Sequence, residues 1–107
     1  MEKNITNCDS LEEVRQNIDK IDSKLLDLIV IRSNYMNQAA LFKKTENEIV
    51  TPDRVNDILQ RIKILAKEKG LNPLLTERIY RTMINAFIDQ EMAATNPLYK
   101  EFLNSYY

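Results

Sequence analysis

Residues 11–44 read LEEVRQNIDKIDSKLLDLIVIRSNYMNQAALFKK, and the spacing of their apolar residues decides the fold. Leu11, Val14, Ile18, Ile21, Leu25 and Leu28 recur at 3-4-3-4-3, a heptad seam. The same count then lands on Arg32, Tyr35, Ala39 and Phe42, and no proline or glycine interrupts before Pro52. Ser10 precedes the run and Glu13 stands three residues on, the pattern of a capping box. The spacing predicts one helix from about Leu11 to about Lys44, roughly 50 Å long. A rod of that length cannot bury its seam inside one small globule, so it implies an antiparallel bundle or an oligomer.

The rest of the chain follows the same logic. Thr45 to Val50 is polar and reads as a loop. Thr51-Pro52 starts a second helix as cap and first helical residue, with Asp53 at the positive end of the dipole. Val55, Ile58, Ile62 and Leu65 form its seam. Gly70, the only glycine in 107 residues, closes it, with Lys67 and Lys69 near its negative end. Asn72-Pro73 starts a third helix, along which Tyr80, Ile84, Phe87 and Glu91 fall at 4-3-4. Asn96-Pro97 should end it. The tail LYKEFLNSYY either forms a short last helix or packs loosely. The expected architecture is all-α, a three-helix chain forming one domain over 1–107, with its core at about 9–95 and a tail at 96–107.

Composition narrows the chemistry. A single glycine disfavours sheet folds, whose turns lean on it. With no histidine and one cysteine, the sequence holds no His general base, disulfide or cysteine-rich metal site. A net charge of −1 disfavours a nucleic-acid-binding domain. The first residues lack the basic start and apolar run of a signal peptide, and no apolar run approaches the roughly 20 residues of a membrane span. A lone Cys8, read as an incidental thiol, suits a reducing cytoplasm.

Charges on apolar stripes are the informative residues. Arg32 takes a seam position between Leu28 and Tyr35, and Glu91 does the same beyond Phe87. Each requires a partner or a ligand, because an unpaired buried charge is costly. They form either a structural pair within the bundle or part of a binding site. Arg54 opens the second helix, where a cation opposes the dipole, so it is either a surface residue or held for an anion. Together Arg15, Arg32, Lys43 and Arg54 form a cation set suited to a small dicarboxylate, since Arg binds carboxylates bidentately. Arg15 and Lys43 are 28 positions apart, about 42 Å along one straight helix. They cannot share a ligand within one chain, so Arg15 has to come from an antiparallel partner.

These residues resemble the all-helical chorismate mutase family over roughly residues 9–92. The resemblance rests on an Arg before the IDKID stretch, a second Arg 17 residues on and a Lys 11 after that. An Arg opening the second helix and a polar residue late in the third complete the set. The PDRV segment at 52–55 is similar to the isochorismate-pyruvate lyase branch. The resemblance implies an intertwined helical homodimer with two sites and no cofactor. It implies rearrangement of chorismate to prephenate, a shikimate-pathway step toward aromatic amino acids. By the same resemblance Arg15 of the partner chain and Arg32 hold the substrate carboxylates. Lys43 bonds the ether oxygen and a carboxylate, Arg54 closes the site, and Glu91 stands where many members place a Gln that donates to the ether oxygen.

Four departures mark this chain. Val55 replaces a carboxylate that meets the substrate hydroxyl, Phe87 replaces a small hydroxyl residue, Thr51 stands where some members carry Asp, and the loop before Arg54 is one residue shorter. They lean toward the lyase branch, which gives salicylate and pyruvate from isochorismate, whereas Glu91 leans toward mutases. A non-catalytic helical oligomerisation or regulatory module is the reading from another class.

Overall fold

The computed structural model describes residues 5–42 and 51–104. Among them there are four helices and no strand: α1 (Leu11–Ala40), α2 (Pro52–Lys69), α3 (Pro73–Thr95) and α4 (Pro97–Asn104). The chain divides into two compact units, Met1–Phe42 and Lys43–Tyr107.

In the first unit, α1 runs unbroken for 30 residues. Ser10 Oγ accepts from Glu13 N–H at 3.1 Å, as a capping box requires. The return bond lands one residue early: Glu13 Oε2 accepts from Asp9 N–H at 3.1 Å. The helix ends at Ala40, short of the expected Lys44. Leu41 N–H donates to Gln38 O and Phe42 N–H to Ala39 O, so the last turn tightens to three-residue spacing. No basic side chain in that turn offsets the dipole. Lys43, the expected loop at 45–50 and the Tyr106-Tyr107 tail lie outside the described residues.

None of α1's residues is buried. Along the expected seam Ile18 and Ile21 are each 53% exposed and Leu28 is 62% exposed. Between Leu25 and Ile31 every residue but Asp27 is apolar, so the apolar surface runs around the helix instead of forming one stripe.

The second unit has its own core. Ile58, Leu59 and Ile62 of α2 pack with Ile84 of α3, and Val55, Tyr80 and Ile88 lie against them. Position 65 departs from the expected seam: Ala66 is buried and Leu65 is 37% exposed. At about 100° per residue, Ala66 returns to within about 20° of Val55, whereas Leu65 lies about 80° away. The heptad reading drifts off a straight helix by its third turn.

The turns hold this hairpin. Gly70 adopts φ 81°, ψ 20°. Gly70 N–H donates to Lys67 O and Leu71 N–H to Ala66 O, the two bonds of a Schellman stop. Asn72 Oδ1 then accepts from Leu74 and Leu75 N–H to cap α3. Thr51 caps α2 by position, without a side-chain bond. Asn96 breaks α3 with an extended backbone, and its Oδ1 accepts from Leu98 N–H to start α4. The tail thus forms the short helix.

Gly70→Ala forces a Cβ into the left-handed region. It should lower unfolding free energy by about 1–2 kcal/mol, read as a lower urea midpoint at unchanged slope.

Candidate functional site

The helices fix where each cation of the sequence set can stand. Arg15 is exposed and Arg32 half-buried, both on α1. They are 17 residues apart on one continuous helix, about 26 Å along its axis. That is several times the length of a small dicarboxylate, so the two cannot grip one such ligand from the same chain. Arg32 Nη1 donates to Met36 Sδ at 3.0 Å, one turn further on. Sequence reasoning missed this contact, although the i, i+4 spacing of the two side chains was there to be read.

On the second unit, Arg54 is exposed in the first turn of α2, beside Asp53. Glu91 is half-buried in the last two turns of α3, and Phe87 is half-buried one turn before it. The register of the hairpin relates Arg54 to Glu91. Glu77 of α3 meets Lys63 of α2 at 3.8 Å and Arg81 at 3.1 Å. Such surface pairs contribute little stability, about 0–1 kcal/mol each, yet the Lys63–Glu77 pair, which crosses between the helices, marks which residues lie level. Counting outward from Lys63 and Glu77, Arg54 comes level with roughly residue 86, so Glu91 stands within about two turns of it. Both sit at the open end of the hairpin, away from Gly70.

Val55 follows Arg54 but packs toward Ile58, Leu59 and Ile62. Its side chain belongs to the apolar interface between α2 and α3. Among the described residues no group of three or more acidic, Cys or His side chains could hold a metal ion, and no helix is long and apolar enough to cross a membrane. What the two units offer is chemistry of fixed charge: guanidinium groups on α1 and α2 and, on α3, half-buried carboxyls that include Glu91.

A family model described as "Chorismate mutase type II" matches residues 14–92. The chain belongs to the type II chorismate mutase family. The matched span contains Arg15, Arg32, Lys43, Arg54 and Glu91 and stops before α4. The chain is also similar to an isochorismate pyruvate lyase of Pseudomonas aeruginosa, 29% identical over 85 residues, which covers 79% of this chain and 84% of that protein. A chorismate mutase of Methanocaldococcus jannaschii is 32% identical over 77 residues, covering 71% of this chain and 78% of that one. The all-α architecture expected from the spacing is that of the chorismate mutase family.

Because Val55 sits against apolar neighbours, a carboxylate there is partly desolvated. Val55→Glu should lower the urea midpoint clearly more than Val55→Ala, which removes about 1 kcal/mol of packing. Equal midpoints would place position 55 in solvent instead.

Proposed function

We propose that this chain is a chorismate mutase, rearranging chorismate to prephenate without a cofactor. The observation that carries this is family membership over residues 14–92 with the whole ordered set of charged residues inside the match. In this pericyclic step one C–O bond breaks as one C–C bond forms, and no proton leaves the substrate. A protein accelerates it by holding a compact conformer and stabilising negative charge on the departing ether oxygen. Fixed cations do both. Arg32 and the partner chain's Arg15 hold the carboxylates, Lys43 bonds the ether oxygen and a carboxylate, Arg54 closes the site, and Glu91 donates to the ether oxygen when protonated. The family match crosses the boundary between the two compact units, which supports one functional domain over 1–107.

A homodimer is part of this reading. It supplies Arg15 from a second copy, because the α1 separation forbids one chain from using both arginines on one ligand. It also gives the apolar residues around Leu25–Ile31 something to pack against. A cytoplasmic location accords with the lone Cys8. Isochorismate is the second substrate to try, since Val55 offers no carboxylate for the hydroxyl of chorismate, and that reading gives salicylate and pyruvate.

Loss of chorismate absorbance, followed by salicylate fluorescence with isochorismate, tests both activities. Turnover of neither leaves the helical interaction module standing. Arg15→Ala and Arg32→Ala should each cost about 3–4 kcal/mol of transition-state stabilisation while the dimer persists. Unfolding and reassembling the two inactive variants together should then restore about a quarter of wild-type activity. Half of the dimers are mixed, and each mixed dimer carries one intact site. No recovery would place Arg15 outside its partner's site.

Glu91→Gln keeps a donor at that position and should retain mutase turnover, whereas Glu91→Ala removes it and should lower turnover clearly more. Equal turnover of the two variants would remove Glu91 from the donor role.

A further inference from the structure

Glu91 stands in the last two turns of α3, and helix ends fray because their last carbonyls lack partners along the helix. Local support at this end is slight. No basic side chain in the last turn offsets the dipole, and the cap bond runs from Asn96 N–H to Met92 O at 2.9 Å without a left-handed stop. A group that acts from a fixed place on such an end needs a brace from another element.

The helix α4 stands where that brace is needed. It packs against α3. Asn96 joins the two helices: its N–H closes α3, and its Oδ1 accepts from Leu98 N–H at 3.0 Å to open α4. Burial along α3 shows which side is covered. Ile84 packs against α2, and at about 100° per residue Glu91 falls about 20° from it. Asp89 and Ala93 fall about 140° and 180° away, on the opposite side, yet both are half-buried. Thr82 and Ala86 share that opposite side nearer the start of the helix and are exposed. Cover on the side away from α2 therefore begins only at the end of α3 that α4 adjoins.

We propose that α4, which lies outside the family match, is a positioning element for Glu91: it braces the last turns of α3 from the side away from α2 and so keeps the Glu91 carboxyl in one place. The functional half of this inference rests on the chorismate mutase reading, and the structural half does not.

Glu101 is exposed in the middle of α4. Glu101→Pro removes a helical N–H and clashes with the carbonyl of Pro97, which breaks α4, whereas Glu101→Ala keeps the helix. In the full chain, amide hydrogen exchange over residues 88–95 should quicken roughly tenfold or more in Glu101→Pro and stay within about twofold of wild type in Glu101→Ala. Exchange at Ile58 and Leu59 should change in neither. Unchanged exchange over 88–95 in Glu101→Pro, or an equal rise at Ile58 and Leu59, would overturn the brace.

Turnover tests the functional half. Loosening a donor that acts in the transition state lowers kcat more than it changes KM. Glu101→Pro should lower kcat for chorismate roughly three- to tenfold, and should add no further loss in a Glu91→Ala background, because both changes act through one group. An equal added loss in both backgrounds would overturn the positioning of Glu91. A wild type inactive on both chorismate and isochorismate, with the expected change in exchange, would instead overturn the catalytic reading and leave the brace in place.

Discussion

An unbroken α-helix is a ruler, and the molecule depends on that rigidity. Thirty residues of α1 rise by a fixed step, so side chains on one face stand at distances that no loop motion adjusts. Arg15 and Arg32 are thereby kept apart within one chain. The same helix carries apolar residues around most of its circumference between Leu25 and Ile31, yet buries none of its thirty residues. Short-range hydrogen bonding and capping by Ser10 build such a rod, but most helical stability in proteins comes from packing an apolar face. Both the charge arrangement and the apolar surface of α1 are therefore suited to a second surface, which the proposed homodimer supplies.

The hairpin of α2 and α3 is built differently. It closes a small core of Ile58, Leu59, Ile62 and Ile84. Its turn is held by the left-handed Gly70 and by Asn72 as a cap, and the Lys63–Glu77 pair marks its register near that turn. Rigid closure at one end brings Arg54 and Glu91 toward the other. The apolar core runs along the hairpin, and the end away from Gly70 also presents charge. In the proposed mutase that arrangement suits a reaction needing fixed electrostatics and no proton relay.

Much of this could be read before any coordinates. Stops and starts were the clearest signals, because each has a local cause: Ser10 with Glu13, Thr51-Pro52, Gly70, Asn72-Pro73 and Asn96-Pro97 all mark real helix boundaries. The candidate site was legible as an ordered set of residue types, and the family match spans all five positions. Less legible was anything set by a neighbour. Ala66 takes the core position expected of Leu65, because a straight helix turns away from a heptad count. The last turn of α1 tightens at Leu41 and Phe42, where no glycine or basic residue signals an end.

The sequence by itself determined the all-helical class, the length of the first helix to within about one turn, the turn at Gly70 and which charged residues stand on apolar stripes. These depend on periodicity and on short-range sterics and hydrogen bonds, which travel with the residues themselves. Only the tertiary structure decided that Ala66 instead of Leu65 is buried on α2, and how far Arg54 lies from Glu91 along the hairpin. It also showed the Arg32 guanidinium donating to the thioether of Met36. These depend on interhelical register and rotamer choice, which are settled by the groups packed alongside and leave no periodic mark in the chain.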